Sequence, residues 1–419
     1  MILIRKNLAN IFSLACVQGA NALLPIFIFP YVLHLIGAEK YKDLVVSEAI
    51  GLIVLAIVLY SYEINGVTRS VHALKQEGVA LASKVFSEVM CSRLIIWAFC
   101  VGIVLISGVF LAHDVYLALL CWMLLPLAYI FQSTYFFQAL ENNVPVAVLS
   151  LVSRLACCGI VFTYLKPSDP TYFLPLIVGC SYLVGGLFST LYLLLVIGVK
   201  FTSVSWNNMW NSLVDGKEIF SGNFAVVLFR DSNLLVLSFF GVSAASVASY
   251  SVVEKFIKAF QAVIRPLNQF FFPRVIHAVY GRPEPDKIAL YRILRLTYLQ
   301  LMILLLILLA IVTVWVLLND KVAFLSRYPD KPLMANLFLL MSVGVFFGVS
   351  NFMLGTAGLN SLNAKRYLAK SLIATGILTL TLCVASTKLI GVYGAAASFV
   401  FGEVMLFLLI LRRYLKSGC

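Results

Sequence analysis

The sequence predicts an all-α polytopic membrane protein with about twelve transmembrane helices. The 419-residue chain is 62% hydrophobic and only 12% charged, and its mean hydropathy is +1.00. Soluble domains are usually about a quarter charged. Apolar runs long enough to cross a bilayer as a helix, which takes about 20 residues, recur along the whole chain. The loops between these runs are too short to hold a catalytic domain outside the membrane.

An N-terminal lobe, residues 1–200, is expected to contain six helices, at 10–36, 44–66, 84–111, 115–139, 144–165 and 172–198. Helix one carries Gln18 and Asn21 on one face, and helix five carries Arg154 in its middle. The other charged residues lie nearer to helix ends, where structural ion pairs and cavity lining both remain open: Glu48, Glu63, Glu88 and Arg93.

A cytoplasmic linker, 201–216, leads to a C-terminal six-helix lobe, 217–419, with helices expected at 217–240, 245–275, 289–318, 333–357, 367–387 and 391–411. Helix seven carries Arg230 beside Asp231, with Asn223 seven residues earlier on the same face. Helix twelve carries Glu403, expected to be a helix-packing or pairing carboxylate. Helix eight carries a polar stripe whose members are spaced 3, 4, 3, 4 and 3 residues apart and therefore share one face: Ser251, Glu254, Lys258, Gln261, Arg265 and Asn268.

The distribution of basic residues predicts the orientation of the chain. Of the 31 Lys and Arg residues, eighteen lie on the side that holds both termini, seven lie on the opposite side and six lie within the spans. By the positive-inside rule both termini are cytoplasmic. This asymmetry also explains the net charge of +13 without nucleic-acid binding.

The two halves of the sequence echo each other. The pattern Arg69-x-x-His72-Ala73 recurs 205 residues later as Arg274-x-x-His277-Ala278, and Gly37 followed by Glu48 parallels Gly241 followed by Glu254. Six helices return the chain to its starting side, so the echo predicts a parallel repeat about an axis along the membrane normal. Transporters commonly place their substrate path between such repeats.

The charges inside the spans predict a central cationic cavity. We expect five cations in the central third, Arg154, Arg230, Lys255, Lys258 and Arg265, against only Asp231 and Glu254. An unpaired cation at a helix centre costs about 2.5–3.5 kcal/mol, so these residues must face water or protein. A positive cavity favours a ligand with a polyanionic head and a hydroxyl-rich body. The structural alternative is that Glu254 pairs with Lys258 and the other cations snorkel or bond neighbouring helices.

Three stretches resemble a known family: NALLPIFIFPYVLHLIG (21–37), TYFFQALENN (134–143) and ASYSVVEKFIKAFQAVIRPLNQFFFPRV (248–275). They are similar to the Wzx group of O-antigen and polysaccharide flippases, within the multidrug/oligosaccharidyl-lipid/polysaccharide exporter superfamily. The resemblance extends over the chain in helix number, order and length, and is densest in helices one, two, seven and eight, which line the cavity in that superfamily. The sequence departs from its relatives at Arg230-Asp231, where they often have one acidic or polar residue.

The resemblance implies a flippase, not an enzyme, that moves an undecaprenyl-diphosphate-linked oligosaccharide across the bacterial inner membrane by rocking of its lobes. Lys258 and Arg265 would hold the diphosphate, aided by Arg230, Lys255 and Arg154. The glycan would contact polar side chains of several helices: Gln18, Asn21, Asn223, Gln261 and Asn268. Asp231 and Glu254 are candidates for exchanging H⁺ or Na⁺.

No cofactor or metal site is expected, since the cysteines and histidines lack ligand spacing. Membrane lipids and a glycan polymerase or ligase are candidate partners. Two alternatives remain open: an exporter of the same fold for drugs or the peptidoglycan lipid precursor, and a membrane glycan polymerase or ligase. The second is disfavoured because the outer loops are short and His113 stands alone.

Overall fold

The computed structural model of the protein describes the backbone of residues 2–279, 284–318, 330–362 and 364–416. Side chains are described from residue 25 onward within these ranges, except at 262, 263, 265–267, 269, 270, 273, 315 and 318. Three residues of the expected site, Gln18, Asn21 and Arg265, therefore have side chains outside the described part of the chain.

The first half of the chain folds into eight α-helices: α1 (Ile2–Leu59), α2 (Tyr62–Glu77), α3 (Val79–Ser107), α4 (His113–Trp122), α5 (Leu124–Gln132), α6 (Thr134–Ala139), α7 (Val144–Tyr164) and α8 (Phe173–Tyr192). A π-helical segment, Leu193–Ile197, continues α8. Local sequence accounts for several ends. Pro145 lies in the first turn of α7, where its missing N–H leaves no helical bond unmade. Ser133 adopts a left-handed conformation and separates α5 from α6.

The second half folds into seven α-helices: α9 (Trp206–Arg230), α10 (Asn233–Phe239), α11 (Ala244–Val279), α12 (Lys287–Leu318), α13 (Lys331–Asn351), α14 (Lys365–Ile390) and α15 (Val392–Lys416). A π-helical segment, Phe352–Leu359, continues α13. At the start of α13 the Asp330 side chain accepts a bond from the Leu333 N–H, which satisfies a donor that has no partner within the helix.

The expected fold class is confirmed: the chain is an all-α polytopic membrane protein, and the described residues contain no strand. Nine helices in the described part are long and apolar enough to cross a membrane, or ten if the bent pair α9–α10 forms one span. Twelve spans remain a prediction. The difference has two sources. The stretch Pro25–Glu77 counts once although α1 is interrupted within it, and the charged helix α11 is not among those that pass.

A left-handed glycine interrupts α1. Gly37 has φ +78° and ψ 167°, so the helix expected to end at residue 36 changes direction there before continuing. Gly241, its counterpart in the proposed repeat, has φ +67° and precedes α11. L-residues with a Cβ rarely adopt such angles, which explains glycine at both places. The two positions named by the sequence echo therefore share a positive φ.

The chain divides into two compact units. Unit 1 comprises Met1–Ile28 and Leu35–Phe224, and unit 2 comprises Phe29–His34 and Ala225–Cys419. The six-helix lobes with a linker at 201–216 remain a prediction. In unit 1, α8 packs against α5 and α7, and an added Cβ at Gly179 would lie 2.6 Å from the Leu124 Cβ. In unit 2, α11 packs against α12 and α13, and α15 packs against α13 and α14. These contacts hold the charged helices in place.

Candidate functional site

The polar stripe of helix eight lies on α11, but its members differ in burial. Ser251 and Glu254 are buried, whereas Lys258, Gln261 and Asn268 are partly exposed. The Asn268 Oδ1 accepts a hydrogen bond from the Gln300 Nε2 of α12. The first two residues of the stripe, Ser251 and Glu254, are therefore packed inside unit 2, and the partly exposed residues begin at Lys258.

Lys258 joins two carboxylates of unit 2. Its Nζ lies 2.7 Å from the Asp231 Oδ1 and 2.8 Å from the Glu254 Oε1. The Lys258 side chain is 38% exposed, while that of Glu254 is 5% exposed. The ammonium therefore covers a buried carboxylate. The bond to Glu254 is the pair that the structural alternative expected, whereas the bond to Asp231 was not anticipated.

A helix break positions Asp231 for this contact. The axes of α9 and α10 differ by 48°, and Asp231 and Ser232 form the junction. The Asp231 N–H donates to the Val227 oxygen at 2.8 Å, and the Ser232 hydroxyl bonds the Leu228 oxygen. These bonds occupy two of the four carbonyl groups that a helix end leaves without partners inside the helix. Asp231 thus lies at the C-terminal end of a half-helix.

The Asn233 side chain ties the short helix α10 to α11. Its Nδ2 donates to the Tyr250 hydroxyl at 2.9 Å, and both residues are buried. Tyr250 lies one helical turn before Glu254 on α11. This bond holds the junction containing Asp231 against the face of α11 that carries Glu254 and Lys258.

Arg230 pairs with Glu403 in unit 2. The Glu403 Oε1 lies 2.5 Å from the Arg230 Nη2 and accepts from its Nε at 2.8 Å. The Glu403 side chain is fully buried, whereas Arg230 is 31% exposed. Asn351 donates from its Nδ2 to the Glu403 Oε2 at 2.9 Å. This network links α9, α13 and α15, and it confirms Glu403 as a pairing carboxylate.

Lys255 points to a different neighbour from Lys258. Its ammonium lies 3.8 Å from the centroid of the Phe29 ring, and the residue is buried. Phe29 belongs to the short part of α1 that is assigned to unit 2. A cation this close to an aromatic face is attracted by the quadrupole of the ring. Two adjacent lysines of α11 therefore have separate environments.

The expected excess of positive charge is corrected for the described part of unit 2. The three cations Arg230, Lys255 and Lys258 are matched there by three carboxylates, Asp231, Glu254 and Glu403. The sequence-based count placed Glu403 outside the central third, whereas in the structure it pairs with Arg230, which lies 173 positions earlier. The Arg265 side chain lies outside the described part, so the cationic character of a central cavity remains a prediction.

Two residues of the expected site whose side chains are described, Arg154 and Asn223, lie in unit 1. Arg154 is 1% exposed, donates from its Nη1 to the Ser150 oxygen at 2.9 Å, and lies 4.7 Å from the Tyr182 ring centroid. These contacts hold α7 against α8. Asn223 is exposed on α9.

Three of the charged residues near helix ends in unit 1, Glu63, Glu88 and Arg93, form ion pairs. Arg93 is 1% exposed and bonds Glu63, with 2.8 Å between its Nη2 and the Glu63 Oε1. The rings of Tyr62 and Tyr135 flank the Arg93 guanidinium, with their centroids 5.6 and 5.2 Å away. The sequence had placed Glu88 beside Arg93. In the structure Glu88 instead accepts two bonds from Arg69, at 2.9 and 2.8 Å. The partnership of Arg69 was missed because it joins two different helices.

The nine or ten candidate spans in the described residues define a multi-pass membrane protein, and each described ion pair joins two residues of the same unit. The model of the polysaccharide biosynthesis protein family matches residues 7–278, well over half of the chain. The protein belongs to this family. The resemblance to Wzx-type polysaccharide flippases is thereby confirmed.

Two relatives carry the same name. The chain is 23% identical over 407 residues to a protein of Escherichia coli (strain K12) named "Putative O-antigen transporter", with 94% of each chain covered. It is 24% identical over 293 residues to a protein of that name from Shigella dysenteriae, with 68% of this chain and 71% of the relative covered. Both are named as transporters.

Two solved structures share the fold. A multidrug resistance MATE family transporter of the MOP superfamily, described as inward-facing, aligns with a TM-score of 0.67 at 13% identity, covering 94% of this chain and 93% of that one. The lipid II flippase MurJ, described as inward closed, aligns with a TM-score of 0.67 at 11% identity, covering 98% and 87%. At these identities the likeness establishes the fold alone, so it does not choose between a drug and a lipid-linked substrate.

Proposed function

We propose that this protein is a flippase for an undecaprenyl-diphosphate-linked oligosaccharide, an O-antigen or similar repeat unit, moving it from the cytoplasmic to the periplasmic leaflet. The observation that carries the proposal is the match to a protein named as an O-antigen transporter over 94% of both chains. The family assignment supports the same conclusion. Two partly exposed cations, Lys258 and Arg230, could donate hydrogen bonds to an anionic head group.

Lys258 is the residue best suited to meet the diphosphate. Its side chain is the most exposed of its cluster, and its two bonds to Asp231 and Glu254 can be exchanged for bonds to phosphate oxygens. Hydrogen bonds to charged groups contribute roughly 1.5–3 kcal/mol each. Arg230, next to Asp231 in the sequence, is partly exposed, and Arg265 follows Lys258 seven residues later on the same helix face. The amides of Gln261 and Asn268 would bond the sugar hydroxyl groups.

The cycle that we propose is alternating access. The two lobes would rock about a central site in the bacterial inner membrane, with both chain termini in the cytoplasm. Asp231 and Glu254 are the coupling candidates, because a carboxylate that loses its ammonium partner must gain another cation or a proton. A glycan polymerase or ligase would receive the product on the periplasmic side.

Deletion of the gene in its own host tests the proposal. We expect loss of the surface glycan and accumulation of the lipid-linked oligosaccharide in the cytoplasmic leaflet, both reversed by a plasmid copy. This design avoids any mismatch between the flippase and the sugar repeat of another strain. Unchanged surface glycan in the deletion strain would refute the proposal. Rescue of a strain depleted of its lipid II flippase would instead favour the peptidoglycan precursor as substrate.

A further inference from the structure

The Lys258 ammonium occupies the place that a bound monovalent cation would take. Its nitrogen lies 2.7 Å from the Asp231 Oδ1 and 2.8 Å from the Glu254 Oε1, so one positive charge bridges two carboxylates from different helices. Carboxylate oxygens are also the ligands of hard cations. The lysine is the most exposed member of the three, and its long, flexible stem allows the ammonium to leave while the carboxylates stay in place.

The backbone around Asp231 favours a cation independently of the carboxylates. Asp231 follows the last residue of α9, and the C-terminal end of a helix carries partial negative charge. The 48° break between α9 and α10 makes this end part of a discontinuous helix. In membrane transporters such half-helix C-terminal ends and unwound carbonyl groups coordinate coupling cations.

Among the described ion pairs, Lys258 is the group whose ammonium contacts both carboxylates. Lys255, the neighbouring base on α11, has its ammonium over the Phe29 ring. The Asn233–Tyr250 bond fixes the junction from the other side and brings no charge. Without the ammonium, two negative charges would remain together, one of them on the buried Glu254. A buried charge without a partner is strongly unfavourable, so another cation would be drawn in.

We propose that Lys258 is a built-in counter-cation: its ammonium fills a cation site formed by Asp231, Glu254 and the C-terminal end of α9. Na⁺ enters this site only when the ammonium has left it. Where the protein acts as proposed above, a diphosphate that draws Lys258 away opens the site. The cation site itself does not depend on that function.

Binding of ²²Na⁺ to the purified full-length protein in detergent micelles tests this inference without any substrate, so its outcome is independent of the flippase assignment. At pH 8 we expect no saturable ²²Na⁺ binding to the wild type and saturable binding to Lys258→Gln. Lys255→Gln is the matched control and should gain none. The double variant Lys258→Gln with Asp231→Asn should lose at least tenfold in Na⁺ affinity relative to Lys258→Gln.

The midpoint of thermal unfolding provides a second readout. Replacing N-methylglucamine by Na⁺ should raise the midpoint of Lys258→Gln and leave that of the wild type unchanged, because only a species that binds Na⁺ is stabilised by it. Lys258→Ala serves in place of the glutamine variant where that variant does not yield monodisperse protein. Equal Na⁺ binding by wild type and Lys258→Gln, or no Na⁺ binding by a folded Lys258 variant, would overturn the inference.

Discussion

In the Arg230–Glu403 pair, removing the arginine should lower the free energy of unfolding more than removing the charge of the glutamate. Glu403 is fully buried, and Arg230→Ala leaves its carboxylate with Asn351 as the remaining described donor. Removing one partner of a buried ion pair costs about 3–5 kcal/mol. Glu403→Gln removes the charge from the buried position and keeps an acceptor oxygen. The freed Arg230 is 31% exposed and can be hydrated in part. We therefore expect Glu403→Gln to lower the free energy of unfolding by about 1.5–3 kcal/mol, which corresponds to one lost charge-assisted hydrogen bond.

Equilibrium unfolding by SDS in mixed micelles measures these values, with the double variant Arg230→Gln with Glu403→Gln closing a thermodynamic cycle. We expect the double variant to be more stable than Arg230→Ala, since it leaves no buried charge. Expression level and glycan display are recorded separately, because Arg230 also belongs to the proposed substrate site. A Glu403→Gln variant that is less stable than Arg230→Ala would refute the argument that the buried carboxylate is the costly partner.

Four further outcomes are expected. A C-terminal alkaline phosphatase fusion should be inactive and a cytoplasm-only fluorescent fusion active; phosphatase activity would contradict the predicted topology. In a cysteine-free background, cysteines that replace Lys258 and Gln261 should react with an impermeant thiol reagent, and a cysteine that replaces the buried Val253 should not. Equal labelling at all three positions would contradict the expectation that the polar stripe of helix eight is accessible to water. Lys258→Ala should weaken substrate binding about tenfold to a hundredfold. Lys258→Arg should retain more glycan display than this alanine variant, and Lys258→Glu should retain less. Full display by the alanine and glutamate variants at normal membrane levels would exclude a substrate role for Lys258. Gly37→Ala, at φ +78°, should lower the free energy of unfolding by about 1–3 kcal/mol, whereas Gly102→Ala, in open space on α3, should raise it by about 0.4–1 kcal/mol. The midpoints of thermal unfolding of the two variants test this difference.

The fold could be predicted from the sequence because its signals are local. A run of about 20 apolar residues identifies a membrane-crossing helix without knowledge of its neighbours. The Glu254–Lys258 bond was also accessible, since residues four apart on a helix face each other. The echo between the two halves paired Gly37 with Gly241, and both have positive φ in the structure, which the sequence analysis did not predict.

The ion pairs between distant helices could not be predicted in the same way. Arg230 and Glu403 are far apart in the chain, and no periodicity connects them. Asp231 was seen as a neighbour of Arg230, but its bond to Lys258 depends on the break after α9, which no proline or glycine marks. The sequence therefore identified the charged residues correctly and misjudged which of them neutralise each other.

The separation between ion-pair partners has a consequence for biogenesis at the ribosome. Glu63 precedes Arg93 by 30 residues, so its helix is already synthesised when the arginine reaches the translocon. Arg230 instead precedes Glu403 by 173 residues. At 5–20 residues per second, roughly 9–35 s pass between the synthesis of Arg230 and that of Glu403. Arg230 lies within the bent α9–α10 span, and an unpaired arginine at the centre of a span costs about 2.5–3.5 kcal/mol, so we expect stable insertion of this span to depend on the arrival of α15.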